Sequence, residues 1–264
     1  MDTISLRSGN RMPVIGCGTW KMTDHTADTV VAALEEGYRL IDTSGDYGTQ
    51  PAIGEGIRRS AVAREDIFLV TKVEETDDAY NATRHNLAEL GFDYADLVLI
   101  HRPPEEGEGE KLWRGLMRAK EEGLARDIGV SNYSPALIDR LVDATDEAPV
   151  VNQIEWSPFG HSDAVQAHHT SRGIVIQAYS PLTRMTRLDD ATVREIAHRH
   201  DMSPVQVLLR WNLQRGTVPL PKANQREHLR ENIAVLDFAL SDDDMAMLNR
   251  LNEGYSALGS LPYL

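Results

Sequence analysis

Short apolar runs alternate with longer amphipathic stretches along the whole chain. The runs are Val14–Gly16, Leu40–Ile41, Ile67–Val70, Leu97–Ile100, Ile128–Val130, Val150–Ile154, Ile174–Ala178 and Thr217–Leu220. Unbroken apolar runs of this length suit parallel strands covered on their outer face. The stretches between them carry helical periodicity. "DHTADTVVAALEEG" places Val30, Ala33 and Leu34 on one face and closes at Gly37, where a glycine ends a helix readily. "YNATRHNLAELG" and "KLWRGLMRAKEEG" close in the same way, and "SPALIDRLVDAT" opens with Ser134 as N-cap and Pro135 at the first helical position. "TISLRSGNRMPVIG" reads as an N-terminal β-hairpin turning at Gly9-Asn10. The pattern predicts eight strand–helix units with no linker, a single (β/α)8 TIM barrel domain over residues 1–264 with a short C-terminal tail. A doubly wound open sheet competes, but "GCGTWK" supplies only Gly16 and Gly18, and Lys21 stands where a dinucleotide fingerprint needs its third glycine.

Composition narrows the setting. Apolar residues are 41% of 264, enough for a sizeable core. No apolar stretch approaches the roughly 18 residues that span a bilayer. "MDTISLRSGN" has no basic segment followed by an apolar one, so no secretion signal is expected. Cys17 is the only cysteine, which excludes an internal disulfide and fits a reducing cytoplasm. Asp plus Glu is 41 against 27 for Lys plus Arg, a net charge of −14 that disfavours nucleic acid. Only Lys21, Lys72, Lys111, Lys120 and Lys222 are lysines. An acid-rich, lysine-poor surface suggests adaptation to a salty cytoplasm.

In a barrel of this kind, chemistry sits at the C-terminal strand ends, and three adjacent runs end in reactive residues. Asp42 follows the second run and Tyr47 stands in the turn after it; "IFLVTK" ends at Lys72 and "LVLIH" at His101. Each alone has a plain explanation: a capping aspartate, a surface tyrosine, a lysine reaching out of the barrel, a core histidine on a backbone carbonyl. Four such coincidences at matched strand ends are less probable than one site. A phenol is a poor acid at neutral pH, with a pKa of about 10. A nearby ammonium favours the phenolate, and a carboxylate keeps that ammonium charged. A histidine can orient a carbonyl oxygen. The set can protonate a carbonyl oxygen as hydride reaches its carbon, and it contains no Ser–His or Cys–His dyad.

These residues stand in motifs that resemble the aldo-keto reductase superfamily, in a short bacterial or archaeal-type form: "GYRLIDTSGDYG", "VTK", "LVLIHRP", "IGVSNYS", "NQIEWSP", "QAYSPL" and "PLPKANQREHLREN". The resemblance runs from "GTW" at 18–20 to "REN" at 230–232. It implies an NAD(P)H-dependent carbonyl reductase in which Tyr47 donates the proton, Lys72 and Asp42 tune it, and His101 orients the carbonyl. It further implies that Ser131, Asn132 and Gln153 hold the nicotinamide carboxamide and that Tyr179 stacks on the ring. Ser180, Pro181 and Leu182 would contact the pyrophosphate region. Thr19 and Trp20 would lie near the nicotinamide ribose and the substrate, and Glu231 and Asn232 near the adenine.

Three positions depart from the family's usual residues. Lys222 is the usual basic residue near the ribose phosphate, but Ala223 stands where Ser or Thr is common and His228 where Arg is common. An arginine grips a 2′-phosphate as a permanent forked donor, whereas histidine is largely neutral at pH 7. NADPH is the expected cofactor, with NADH plausible because of His228. Arg102 stands where many relatives carry tryptophan; it offers a cation to a carboxylate-bearing substrate, or else pairs outward with Glu105 or Glu106. The short tail suggests an open site tolerant of small aldehydes, with Tyr255 as a candidate wall. No metal is expected, since His168-His169 and His198/His200 lack ligand spacing. The expected partner is a small carbonyl compound, with no nucleic acid and no membrane, and the chain is expected to be a monomer or weak oligomer. A cofactor-occupied redox sensor and a Schiff-base aldolase using Lys72 are the competing functions.

Overall fold

The computed structural model describes residues 2–22, 25–76 and 78–264. A hairpin of β1 (Thr3–Ser5) and β2 (Arg11–Pro13) opens the chain. Its turn is closed by Gly9 N–H to Leu6 O at 2.9 Å, with Gly9 at φ 92°. The barrel strands follow: β3 (Cys17–Gly18), β4 (Leu40–Asp42), β5 (Phe68–Val73), β6 (Ala95–Ile100), β7 (Ala125–Ser131), β8 (Val151–Glu155), β9 (Val175–Tyr179) and β10 (Val218–Pro219). They lie in sequence order and every pairing is parallel. Gly16 N–H to Pro219 O and Gly18 N–H to Pro221 O, both 3.0 Å, join the two edges and close the barrel.

The outer ring is α1 (Thr26–Glu35), α2 (Gln50–Arg59), α3 (Ala79–Leu90), α4 (Glu110–Glu121), α5 (Pro135–Thr145), α6 (Asp163–Ser171), α7 (Ala191–His200), α8 (Pro204–Gln214), α9 (Arg226–Ile233) and α10 (Asp242–Asn249). Helix signals in the sequence act as expected. Ser134 accepts from Leu137 N–H with Pro135 following, and Ser241 forms a capping box with Asp244. Gly37 and Gly123 follow their helices at φ 103° and 78°. The chain between β9 and β10 holds two helices, α7 and α8, where one was expected.

The barrel strands are buried on both faces along nearly all their length, and alternation decides which core each residue joins. Leu40, Val70, Leu97, Leu99, Val151, Val175 and Val218 share the interior cluster. Ile41, Leu69, Val98 and Ile100 point outward to the helices. The hairpin plugs the floor of the barrel: Leu6 and Met12 join the interior cluster, and Asn10 Nδ2 donates to Asp127 Oδ2 at 2.8 Å.

The strands differ from the apolar runs in a consistent direction. β5, β7, β8 and β9 continue past the apolar run into Lys72, Ser131, Glu155 and Tyr179. β4 takes in Asp42. The runs stop where the inward face turns polar, not where the ladder stops. The first strand is corrected from Val14–Gly16 to Cys17–Gly18, because pairing there is by glycine backbone that can approach closely. Among the described residues no helix is long and apolar enough to cross a membrane.

A Cβ at Gly16 would lie 2.3 Å from Leu40 Cδ2 and 2.7 Å from Leu220 Cδ2. Gly16→Ala is expected to destabilise by about 1–3 kcal/mol through overpacking at the closure. Urea unfolding checks this, with a lower midpoint at an unchanged slope.

Candidate active site

The inward alternation that fills the barrel also aims its polar ends. Asp42 shares parity with Leu40, Lys72 with Val70, and His101 with Leu97 and Leu99, so all three face the interior at the C-terminal mouth. Asp42 is held by its neighbours: Thr19 Oγ1 donates to its carbonyl at 2.8 Å, and Gln153 Nε2 donates to its Oδ1 at 2.8 Å. The Lys72 ammonium donates to both Asp42 oxygens at 2.9 Å and to Thr43 O at 2.7 Å. It lies 5.1 Å from the Tyr47 ring centroid, Tyr47 ending a short turn at Gly45–Tyr47. The His101 ring stands edge-on to Tyr47, with centroids 6.0 Å apart. The four residues expected from the strand ends are therefore together.

Burial disfavours charge on Lys72, but the Asp42 carboxylate and the Tyr47 oxygen more than offset it, and the net shift is upward. Tyr47 corrects a simpler expectation. The ammonium does pull its pKa down, but burial pushes it up by more, and the phenol ends above its ordinary value. Tyr47 is therefore a neutral phenol at neutral pH, standing beside the Lys72 ammonium rather than ionised by it.

A cavity of about 610 Å³ opens over these groups. Trp20, Asp42, Tyr47, His101 and Arg102 line one part, and Ser131, Asn132, Gln153 and Tyr179 another. Ser131 Oγ donates to Gln153 O at 2.7 Å, and Tyr179 OH donates to Asn132 Oδ1 at 2.8 Å. Gln153 uses its amide protons on Asp42 and Gln177, and its Oε1 bonds to no protein group among the described residues. An acceptor left open among amides and a phenol fits the NH2 of a carboxamide.

Ser180, Pro181 and Leu182 also line the cavity. After them the backbone runs left-handed through Thr183, Arg184 and Met185, at φ 50°, 51° and 67°. This bend brings the Arg184 guanidinium 4.6 Å from the Trp20 ring, and Lys21 Nζ lies 4.5 Å from the same ring. Lys222 Nζ donates to Lys21 O at 2.7 Å, and its pKa is lowered by burial and by the Lys21 charge. Lys21, Arg184 and Lys222, which line the cavity together, suit an anion such as a diphosphate. Lys21 and Arg184 were not expected from the sequence, because a loop carries no periodicity to aim them.

Other expected contacts lie elsewhere. Thr19 is buried behind Asp42, and Ala223, His228, Glu231 and Asn232 lie outside the cavity lining. His228 is exposed, and the arginines on either side of it are engaged: Arg226 with Glu35 and Glu36, Arg230 with Glu36. Arg102 lines the cavity and forms no ion pair with Glu105 or Glu106 among the described residues; Glu74 and Tyr179 feel its charge. Tyr255 is not a wall. Its hydroxyl is 2.7 Å from Thr186 Oγ1 and Arg187 packs on its ring, while Leu258, Ser260 and Pro262 line the cavity instead. The tail takes this path because Glu155 accepts from Ser256 Oγ at 2.6 Å and Ala257 N–H at 2.7 Å. His169 bonds to Asn152 and Val165 O, and His168 to Asp139; these are packing roles.

A closed barrel with a charged pair beneath a phenol, and an amide-lined cavity above it, defines an oxidoreductase scaffold. The Aldo/keto reductase family model matches residues 14–253. An aldo-keto reductase of Mycobacterium sp. (strain MCS) is 40% identical over 260 residues, covering 96% of this chain and 92% of that protein. The crystal structure of an aldo/keto reductase from Brucella melitensis superposes with a TM-score of 0.90 at 36% identity, covering 95% of this chain and 99% of that one. That of a Bombyx mori aldo-keto reductase in complex with NADP gives 0.92 at 33%, covering 97% and 94%. The chain belongs to the aldo-keto reductase family, oxidoreductases that reduce carbonyl groups with a nicotinamide cofactor.

Asp42→Asn would leave the buried ammonium without its counter-charge. It is expected to cost on the order of 3 kcal/mol, read by denaturant unfolding. The raised Lys72 pKa sets the sign of the pH dependence. The pair's contribution is full below the ordinary lysine value of 10.5 and is lost as pH rises through the folded value above it. The gap between wild type and Asp42→Asn should therefore narrow only in strong alkali.

Proposed function

We propose that this enzyme reduces small aldehydes and ketones to alcohols, with Tyr47 as the proton donor. The observation that carries this is the buried Lys72–Asp42 pair set beneath Tyr47, with His101 across the cavity mouth. The bound nicotinamide supplies a hydride to the carbonyl carbon. Ser131, Asn132 and Gln153 would hold its carboxamide, and Tyr179 would lie against its ring. Tyr47 gives its hydroxyl proton to the carbonyl oxygen as the C–H bond forms, leaving a phenolate beside Lys72. His101 hydrogen-bonds the same oxygen and fixes its direction. General acid catalysis of this kind is worth about 10²–10⁴-fold.

NADPH is the proposed cofactor, with NADH also accepted. Lys222 forms no ion pair among the described residues, but His228 is not a permanent cation, and Arg226 and Arg230 are occupied by Glu35 and Glu36. The open cavity supports a broad range of small carbonyls, and Arg102, at its wall and in no ion pair among the described residues, favours those that carry a carboxylate. The acidic surface supports a free cytoplasmic protein, monomeric or weakly associated, without a nucleic-acid partner.

A panel of aldehydes, ketones and keto acids run with NADPH and NADH tests this. Tyr47→Phe should lower kcat by about 10³-fold or more while NADPH affinity, read by fluorescence titration, stays within a few-fold. Full activity in Tyr47→Phe would refute the proton assignment, and a thousandfold preference for NADPH would refute relaxed selectivity at His228. Arg102→Ala should raise KM for keto acids by about tenfold and leave neutral aldehydes little changed.

A further inference from the structure

His101 uses its two ring nitrogens unequally. Nδ1 lies 2.6 Å from Glu74 Oε1 and 3.6 Å from Asp46 Oδ1. Nε2 bonds to no protein group among the described residues, and the ring borders the cavity. The backbone of His101 is fixed separately, its N–H donating to Val73 O at 2.8 Å and its carbonyl accepting from Asn132 Nδ2 at 3.1 Å. The ring's rotation is therefore set by its side-chain partners. Burial pushes the Glu74 carboxyl up, but the hydrogen bond and charge of His101, with the charge of Arg102, more than offset it and hold it below the ordinary range. An ionised carboxylate only accepts, so Nδ1 is the donor in the 2.6 Å contact.

We propose that Glu74 is a positioning residue for the carbonyl reduction: it accepts a hydrogen bond from Nδ1–H of His101, turns the ring edge-on to Tyr47, and commits Nε2 to the substrate oxygen. This rests on the reductase reading above. For Nε2 to donate to that oxygen while Nδ1 donates to Glu74, the ring carries both N–H groups and a positive charge. Such a donor strengthens as negative charge gathers on the oxygen. His101 keeps both protons throughout, and the proton transferred is that of Tyr47.

The charges around the ring are mixed. Asp46, on the turn after β4, and Glu74, just past β5, favour its charge. Lys72 and Arg102 oppose it, with Lys72 neutralised by Asp42. Tyr47 and Tyr179 are phenols held above their ordinary values and stay neutral. The net local balance leans on Glu74, the nearest carboxylate.

Glu74→Gln and Asp46→Asn, assayed across pH 5–9 with a small aldehyde and NADPH, test the assignment. EDTA is included because Asp46, Glu74 and His101 bring ligand atoms within 4.8 Å of one another. Glu74→Gln should lower kcat/KM about 10- to 100-fold at neutral pH, the loss of one charge-assisted hydrogen bond. That loss should vary across the pH range rather than stay constant, and Asp46→Asn should show the same dependence more weakly. A far-downfield Nδ1 proton signal from His101 should be present in wild type and lost in Glu74→Gln, while NADPH affinity is unchanged in both. A Glu74→Gln enzyme with the wild-type pH profile, or a loss equal at every pH, would overturn the proposal. If wild type turns over no carbonyl, the reductase reading itself has failed, and the proton signal alone then decides the Glu74 contact.

Discussion

A lysine ammonium with no solvent exposure needs a counter-charge, and much of this site is arranged around supplying one to Lys72. Asp42 offers both oxygens and Thr43 its carbonyl. Asp42 is in turn bonded by Gln153 from β8, whose amide also reaches Gln177 on β9. The pair thus ties β4 and β5 to strands across the barrel. As a source of stability it is a poor choice, since apolar residues of similar size would do as well or better. What it provides is a fixed positive charge beneath a phenol, in a place where burial alone would hold the phenol's proton too tightly.

The barrel makes this geometry inexpensive to specify. Inward-facing positions recur every second residue, so a strand that packs Leu40 or Val70 against the interior delivers Asp42 or Lys72 to the mouth two residues later. The register completes the placement: Lys72 pairs with Leu99, so His101 sits one inward step beyond it on the next strand. The same alternation brings Ser131, Gln153 and Tyr179 onto the opposite wall, with Ser131 directly paired to Gln153.

This explains what was legible in the sequence and what was not. Asp42, Lys72 and His101 follow visible apolar runs, and the strand period aims them. Tyr47 lies one turn farther on and was legible through its spacing and the motif around it. The ends of β5, β7 and β8 were read short because their last inward residues are polar. Glu74 and Arg184 belong to loops, where direction comes from backbone bends and distant partners. Tyr255 was misplaced for the same reason: the tail's path is set by the Glu155 carboxylate, about a hundred positions earlier in the chain. The direction of the Tyr47 shift also escaped sequence reasoning, because it is a balance between a visible neighbour and an extent of burial that only the fold reveals.

Charge distribution links the site to the rest of the molecule. The chain carries a net −14, yet Lys21, Arg102, Arg184 and Lys222 all line one cavity. Two of the five lysines in the whole sequence are among them, and a third, Lys72, lies buried beneath the cavity. Elsewhere arginines are tied to acids, as Arg226 and Arg230 are to Glu35 and Glu36. An anion approaching this surface is repelled except at the mouth, where these four cations converge in a concave site. Salt would weaken both the repulsion and the attraction, the exposed charges most and the buried Lys72–Asp42 pair least. On the proposed function, capture of the cofactor and the chemistry that follows would rest on two separate electrostatic systems, one at the surface and tunable by ionic strength, the other inside the barrel and largely shielded from it.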